Sequence, residues 1–435
     1  MPISHSKPDH LASTTSVSLI DVKSVPLALY IHIPWCVKKC PYCDFNSHEL
    51  GHELGHELRA DAPLSMYDEY VDALLLDAQM QQPLMQGRPI SSIFIGGGTP
   101  SLLPIAQYQR LFTGLRDCFD VTDDVEVTME ANPGTLEHAP FAEYLEVGIN
   151  RLSIGVQSFA ADKLQTLGRI HDPKQAMSAI KSARAAGFER VNVDLMHGLP
   201  QQTLSEALYD IQTAHEAGAT HISWYQLTIE PNTVFYRNQP VLPDEDNLAD
   251  IESEGQALLQ RLGYDNYEVS AWAGAADAPC RHNVNYWQFG DYLAIGAGAH
   301  GKITLDNGTL NKGAFSLSLA EGLTDNEQLP STGIYRFSKS RLPKDYMTYQ
   351  NAPKMVGWQQ IADDELVSEF MLNALRLYDG VTWSLFETRT GLSYESIARQ
   401  VQGLIKQGLL IDSAEQLQPT ALGRRYMNQI LQPFL

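Results

Sequence analysis

The sequence lacks any long uninterrupted run of apolar residues. Nowhere do about 18 such residues follow one another, which is roughly the length that a membrane-spanning helix needs. The first residues, MPISHSKPDHLASTTSVSLIDVKSV, contain no apolar core of the length found in secretory signal peptides. We therefore expect a soluble, cytoplasmic protein.

Basic residues are scarce relative to acidic ones. The chain has 31 Lys and Arg against 52 Asp and Glu, which gives a formal net charge of −21 at pH 7. This charge repels a polyphosphate backbone unless a local basic surface outweighs it. We therefore expect no nucleic-acid partner.

Cysteine is also rare, with five residues in a chain of 435. Three of them, Cys36, Cys40 and Cys43, form the pattern CxxxCxxC. This distribution indicates a reducing compartment and metal binding rather than a disulfide framework. Cys118 falls in an amphipathic segment, where we expect it to be a small core residue.

Short apolar runs rich in β-branched residues alternate with amphipathic segments of helical period. This repeated β–α order forces parallel strands with right-handed crossovers. The first and last runs are equally apolar, which favours a closed or nearly closed barrel with its ligand chemistry at the C-terminal ends of the strands. The six runs that predict strands are 27–34, 91–98, 125–133, 151–158, 190–200 and 221–231.

Composition divides the chain into four parts. We expect a polar leader over residues 1–24, a barrel over 25–235, an irregular barrel extension over 236–345 and a smaller C-terminal domain over 346–435. The third part is rich in Asn, Asp, Gly and Tyr and has no clear period. The fourth predicts several short helices with one hairpin-like turn, which is similar to a winged helix but lacks a dense basic stripe for DNA.

The segment CVKKCPYC follows a predicted strand that ends in HIPW, and Pro41 disfavours a regular helix there. Thiolates on such a loop can surround one iron–sulfur cluster. Because such a cluster takes four ligands, three cysteines leave one iron open to a ligand from outside the chain. A zinc ion held by the three cysteines and by His32 or His48 is the alternative, although no second CxxC knuckle accompanies it.

Glycines and polar residues follow the later predicted strands. Three glycines in GGGTP at 96–100 let the backbone approach a ligand closely. Glu130 and Asp194 offer carboxylates for ribose hydroxyls or cationic groups, while Gln157 and Arg169 offer an amide and a carboxylate-binding fork. Each alone also fits a buried polar residue that is satisfied within the barrel, but four on successive strands or loops favour a shared ligand.

The segment HELGHELGHEL at 48–58 contains HELGH twice, which matches the HExxH pattern of zinc proteases. A perfect tandem repeat is typical of local duplication in a tolerant loop, and Gly51 and Gly55 weaken any helix there. We therefore expect no protease site.

Seven segments together resemble the coproporphyrinogen III dehydrogenase-like branch of the radical SAM superfamily, and within it the haem chaperones, over about residues 25 to 435. The resemblance implies an α/β fold, a partial (β/α)6 barrel with a smaller, mainly helical C-terminal domain. It also implies a [4Fe–4S] cluster on Cys36, Cys40 and Cys43, with S-adenosylmethionine at the open iron. The segments are YIHIPWCVKKCPYCDF, IFIGGGTPSLL, EVTMEANPGT, RLSIGVQSF, LGRIHD, VNVDLMHGLP and HNVNYWQFGDYLAIGAGAHG.

The same resemblance implies the chemistry and the contacts of the cofactor. In this superfamily an electron from the reduced cluster breaks a C–S bond of S-adenosylmethionine and yields a 5′-deoxyadenosyl radical. The implied contacts are Tyr30, Tyr42, Gly98, Thr99, Glu130, Gln157, Arg169 and Asp194.

Two features favour a haem chaperone over a dehydrogenase. Dehydrogenases of this branch carry a fourth cysteine two residues after the third and a longer N-terminal arm, whereas Phe45 occupies that position here. HNVNYW at 282–287 resembles the HNxxYW pattern of the chaperones, which implies that His282 ligates haem iron and that Tyr286 and Trp287 pack on the macrocycle. From the residues alone, a lone histidine in an irregular segment is more often a hydrogen-bonded surface or core residue, and only the resemblance favours the haem ligand.

We therefore expect a haem chaperone that holds a cluster and S-adenosylmethionine and delivers haem to acceptors such as respiratory cytochromes. An electron donor is a further expected partner, and analogy adds a homodimer and loose membrane association. The alternative is an oxygen-independent enzyme that oxidatively decarboxylates the propionates of coproporphyrinogen III. A third interpretation is a cluster-bearing redox protein with a degenerate active site.

Overall fold

The computed structural model describes residues 20–50, 64–134, 140–306, 333–348 and 357–435. Its largest element in these ranges is a twelve-stranded sheet, whose strands we number β1 to β12 in chain order. The strands are Leu27–Ile33 (β1), Ile90–Gly97 (β2), Val121–Ala131 (β3), Arg151–Gln157 (β4), Arg190–His197 (β5), His221–Gln226 (β6), Tyr264–Glu268 (β7), Ala271–Gly274 (β8), Asp291–Ile295 (β9), His300–Leu305 (β10), Gly333–Ser338 (β11) and Gly357–Gln360 (β12).

The strands β1 to β6 are parallel neighbours in chain order, and β9 pairs in parallel with β1. All six predicted runs form strands, and their C-terminal ends meet at one edge of the sheet. Antiparallel strands extend both margins. The order β12-β11-β10-β9-β1-β2-β3-β4-β5-β6-β8-β7 closes no ring among the described residues, so the partial barrel is confirmed and full closure is not observed.

Helices connect the strands where amphipathic segments predict them. Asp172 and Thr203 are each the N-cap of a helix with a capping box. In this motif the N-cap side chain accepts from the backbone N–H three residues later, and the side chain of that later residue accepts from the N-cap N–H. The helices of the barrel and its extension are Leu64–Gln81 (α1), Ile105–Cys118 (α2), Phe141–Glu146 (α3), Ala161–Thr166 (α4), Pro173–Ala185 (α5), Leu204–Ala217 (α6), Val234–Arg237 (α7), Glu245–Arg261 (α8), Arg281–Trp287 (α9) and Pro343–Met347 (α10).

The segment 236–345 is more regular than its composition predicts. It contains α8, which begins after the N-cap residue Asp244, together with α9 and five strands that widen the sheet. Most of these elements are short and are separated by turn-forming residues. Few windows are therefore long enough to show a helical or strand period.

The two larger hydrophobic cores among the described residues belong to different units. One core lies against the sheet, and the other fills the C-terminal unit, with Phe370 and Phe386 fully buried in it. The predicted helical C-terminal domain is thus confirmed, and Val381–Thr382 pairs with Gln416–Leu417 as its short ladder. Its helices are Asp363–Ala374 (α11), Trp383–Thr390 (α12), Ala398–Lys406 (α13), Ala421–Arg425 (α14) and Met427–Leu431 (α15).

Within the part of the chain that the structure describes, no helix combines the length and the apolar character that crossing a membrane requires. Two sequence expectations concern other residues. Most of the polar leader, residues 1–19, and the HELG repeat from Gly51 onward lie outside the described residues.

Candidate cluster and cofactor site

The three clustered cysteines follow β1 on a loop that lines a cavity of about 530 Å³. We call residues 36–48 the cysteine loop and this space the first cavity. Backbone hydrogen bonds join the chain after β2 to the end of β1 and to the residue just before the loop. Gly98 N donates to Ile33 O and Thr99 N donates to Trp35 O, both at 2.7 Å. The predicted neighbourhood of GGGTP and the cysteines is therefore observed.

The glycines of GGGTP permit this close approach. A Cβ atom on Gly98 would lie 2.5 Å from Trp35 O. One on Gly97, whose φ is +112°, would lie 2.5 Å from the His32 ring. Since both distances are too short for any side chain, the glycine run serves the packing of β2 against β1 and against the residue before the cysteine loop, as well as forming part of the cavity wall.

Each sulfur of the cysteine loop lies within hydrogen-bond distance of at least one polar group. Burial raises the pKa of the Cys36 thiol to about 11 and also raises the pKa of Cys43. A bound iron–sulfur cluster would supply the positive charge that favours the thiolates instead. The contacts are Thr99 Oγ1 to Cys36 Sγ at 3.5 Å, Arg169 Nη1 to Cys40 Sγ at 3.6 Å and Ser47 Oγ to Cys43 Sγ at 3.7 Å.

The zinc alternative finds little support in this arrangement. In the described ranges, no three His, Cys, Asp or Glu side chains converge on the position of a single metal ion. The ring of His32 contacts Tyr30 Oη at 3.0 Å and Asn46 O at 2.9 Å, and His48 Nε2 contacts Arg341 O at 3.2 Å. An iron–sulfur cluster is larger than an ion, so its ligands stand around a volume rather than a point.

Two half-buried carboxylates, of Glu130 and Asp194, face the first cavity. Glu130 accepts a hydrogen bond from Gly97 N at 3.2 Å, and Asp194 accepts from Ser153 Oγ at 3.0 Å and Asn192 Nδ2 at 2.8 Å. Burial and the neighbouring Asp194 raise the pKa of Glu130 to about 7, and burial also raises the pKa of Asp194. Such a pair suits a cationic ligand that carries hydroxyl groups.

Gln157 and Arg169 add an amide and a guanidinium to the same cavity. Gln157 ends β4 with φ at 72°, which costs a non-glycine residue roughly 1 kcal/mol, and its Oε1 accepts from the Tyr225 hydroxyl at 2.8 Å. Arg169 Nη2 donates to Gly155 O, while its buried Nε has no partner in the described structure. That unpartnered donor fits an anionic group of a ligand.

Ten of the eleven residues that the resemblance implies for cluster and cofactor line the first cavity, and Tyr30 lines an adjoining one. The donor set fits both groups, because the thiols, the half-buried carboxylates and the unpartnered Arg169 Nε border one space. The ten are Cys36, Cys40, Tyr42, Cys43, Gly98, Thr99, Glu130, Gln157, Arg169 and Asp194.

Sequence analysis missed a set of polar residues that also line the first cavity. They lie on β4, β5 and β6 and include Arg151, Ser153, Asn192 and Ser223. Side chains that point into a barrel recur at every second position of a strand. Polar residues at alternate positions of RLSIGVQS carried this signal, but the apolar character of the run concealed it.

The structure places the expected haem ligand inside the barrel. His282 is 1% exposed and stacks on Phe94, with 5.0 Å between ring centres. Its Nε2 lies 2.9 Å from Tyr286 Oη and its Nδ1 lies 3.5 Å from Ser92 Oγ. Burial lowers the pKa of His282 to about 3, so the ring is neutral, and His282 lines neither the first nor the adjoining cavity.

Tyr286 and Trp287, the other two residues expected to contact haem, both lie at cavity walls. Tyr286 lines the adjoining cavity. The Trp287 ring is covered by the Arg376 guanidinium, whose carbon lies 4.3 Å from the ring centre. Tyr286 and Trp287 also share the wall of a smaller cavity of about 230 Å³, which His282 does not line.

Comparison with known proteins identifies two family models in this chain. The model of the Radical SAM superfamily matches residues 30–214, and the HemN C-terminal domain matches residues 361–426. The heme chaperone HemW of Haemophilus influenzae is 43% identical over 420 residues, which cover 95% of this chain and 99% of that protein. The heme chaperone HemW of Escherichia coli is 44% identical over 414 residues, with the same shares covered.

Among solved structures, coproporphyrinogen III oxidase (HemN) from Escherichia coli, a radical SAM enzyme, has the same fold. The TM-score is 0.72, and the match covers 95% of this chain and 90% of that chain. The two sequences are 23% identical. This likeness is one of fold alone, and it supports the partial barrel with its C-terminal domain.

Proposed function

Because the chain belongs to the HemW family of the radical SAM superfamily, we propose that it is a haem chaperone. The observation that carries this proposal is the identity of 43% and 44% to two HemW proteins over 95% of the chain. Phe45, in the position of the dehydrogenases' fourth cysteine, supports it. The protein then binds haem and passes it to proteins that require haem.

We propose further that Cys36, Cys40 and Cys43 hold a [4Fe–4S] cluster and that the first cavity holds S-adenosylmethionine. When bound, these groups supply one-electron chemistry at the sulfonium. In this arrangement Arg169 Nε serves the carboxylate of the ligand, and Glu130 and Asp194 accept from its ammonium and hydroxyl groups. The half-buried cysteine loop limits the access of water to the cluster.

Further parts of the proposal concern partners. The acceptors are respiratory cytochromes, an electron donor reduces the cluster, and the protein works in the cytoplasm. We also propose a homodimer in loose contact with the membrane that holds the acceptors.

Haem binding and delivery test the proposal. Anaerobically reconstituted protein, titrated with haem, should give a saturable Soret band, and the loaded protein should restore activity to an apo-cytochrome in proportion to the haem supplied. Incubation with coproporphyrinogen III and S-adenosylmethionine should give no protoporphyrinogen. Protoporphyrinogen formation without saturable haem binding would instead establish the decarboxylase alternative.

A further inference from the structure

A second cavity of about 750 Å³ adjoins the first, and the two share wall residues that include Phe45, Gly97 and Glu130. We call it the second cavity. Cofactor-sized ligands occupy cavities of roughly 300–1,000 Å³, so its size suits a macrocycle. The cluster and the S-adenosylmethionine contacts discussed above leave most of its walls without a role.

One part of the wall is aromatic. Tyr286 and Tyr292 both line the second cavity, with their rings perpendicular and 4.4 Å between centres. Phe45 adds a side chain that is 59% exposed. Flat apolar surfaces of this kind suit a planar tetrapyrrole.

His300 supplies an imidazole to the same cavity. It begins β10, is exposed, and its ring makes no hydrogen bond or ion pair with any described residue. Partial burial, together with Arg341 and Arg336, lowers the pKa of His300. The ring is therefore neutral at pH 7, which is the form that ligates haem iron.

Arg341 supplies an available cation. Its carbonyl oxygen accepts from Asn46 Nδ2 at 2.9 Å, whereas its guanidinium has no partner among the described residues. Asn46 Nδ2 also donates to Ala297 O at 3.1 Å, and a Cβ on Gly298 would lie 2.2 Å from Asn46 Nδ2. Asn46 of the cysteine loop thus holds the backbone at Ala297 and at Arg341. The guanidinium of Arg341 stays available to bind a carboxylate.

We propose that the second cavity is the haem site, with His300 as the imidazole ligand of the iron and Arg341 as the partner of a propionate. This inference rests on the proposed function, since it names where the chaperone holds its cargo. Tyr286 forms one wall of the site. His282 lies behind that wall, in contact with the Tyr286 hydroxyl.

Haem titration of the reconstituted full-length protein, followed at the Soret band, tests the ligand. His300→Ala should weaken haem affinity by about tenfold or more and shift the Soret maximum, because the iron loses a strong axial ligand. His282→Gln should leave the maximum unchanged. The matched control is His215→Ala, a half-buried histidine on α6 that lines neither cavity.

A second arm tests the propionate contact. Arg341→Gln should weaken the binding of haem by roughly tenfold, the scale of a lost charge-assisted hydrogen bond, and should not change the binding of haem dimethyl ester. Metal-free protoporphyrin should bind His300→Ala and wild type equally, because it has no iron to ligate.

The outcomes separate this site from the general function. Wild-type affinity and an unshifted Soret maximum in His300→Ala overturn the site but leave the chaperone function intact. A Soret change in His282→Gln alone assigns the ligand to α9 and also overturns the site. If wild type shows no saturable haem binding, both the function and the site fail.

Discussion

At the scale of single residues, burial shifts two acidic groups of the first cavity toward their neutral forms. The Cys36 thiol has its pKa raised to about 11, and the Glu130 carboxyl has its pKa raised to about 7. Both shifts oppose the charged forms that ligands need. A bound cationic group would reverse them, so ligand binding and ionisation are coupled at this site.

The cysteines give the first prediction. Replacing Cys36, Cys40 or Cys43 by Ala should lower bound iron from about four per chain to well under half, because two thiolates hold a cluster poorly. Iron and sulfide analysis after anaerobic reconstitution measures this. Cys118→Ala, a buried cysteine of α2, is the control and should keep its iron. Full iron in a Cys40 variant would contradict the ligand assignment.

The second prediction concerns pH and Glu130. The folded state holds this proton more tightly than the unfolded state, whose glutamate pKa is near 4.3, so folded stability falls as pH rises from about 4.3 to 7. Glu130→Gln should therefore gain on the order of 2 kcal/mol over wild type between pH 5 and pH 8 in the ligand-free protein. Urea unfolding at several pH values measures this gain.

Glu69→Gln, at an exposed position of α1, serves as the control for Glu130 and should show no pH-dependent difference. A constant offset between Glu130→Gln and wild type from pH 5 to pH 8 would show that burial does not shift this carboxyl.

At the scale of elements, the helix α9 is anchored by one carboxylate. Glu126 on β3 accepts from Arg281 N at 3.1 Å and from His282 N at 3.3 Å, and Arg190 pairs with it. The first N–H groups of a helix have no partners within the helix, and its N-terminus favours a negative charge. Glu126 therefore fixes the HNxxYW motif to the barrel.

The third prediction follows from this anchor. Glu126→Gln should lower the free energy of unfolding by about 3 kcal/mol, since it removes a buried charge that faces Arg190 and the helix N-terminus. Urea unfolding followed by circular dichroism measures the loss. Glu254→Gln, on the exposed face of α8, should change it by less than about 0.5 kcal/mol. Equal midpoints for both variants would refute the anchor.

At the scale of the whole molecule, the C-terminal unit is joined to the barrel around Arg376. Its guanidinium stacks on Trp287 at 4.3 Å and pairs with Glu268 Oε2 at 3.1 Å. The carbonyl oxygen of Arg376 accepts a hydrogen bond from Val269 N at 3.0 Å. Tyr378 N donates a second one to Tyr267 O at 2.9 Å. Trp287 thus serves the junction between the two units.

The fourth prediction tests this junction. Arg376→Ala should lower the free energy of unfolding by about 2 kcal/mol, because Glu268 stays buried without its cation and Trp287 loses its cover. Urea unfolding followed by tryptophan fluorescence measures the change. Arg399→Ala, exposed on α13, is the matched control. Identical curves for the two variants would mean that the junction does not depend on Arg376.

Much of the fold could be predicted from the sequence. Strands buried on both faces give apolar runs, and amphipathic helices give a period, so β1 to β6 and their main helices were recognisable locally. The elements between 236 and 345 were less visible, because the strands at the sheet margins are short and pair with segments distant in the chain. These segments form strands because neighbouring strands of the sheet pair with them.

The candidate site shows the same division. The CxxxCxxC spacing and the polar residues after successive strands by themselves predicted a metal or cluster site with a ligand pocket at the C-terminal edge of the sheet, and the family resemblance named the cofactor. Only the tertiary structure decided that His282 is enclosed while His300 and Arg341 share a cavity with Tyr286. Local spacing shows only which residues are near one another in the chain. Whether a histidine ring is exposed, and whether its nitrogens already have hydrogen-bond partners, depends on which distant strands and helices pack around it.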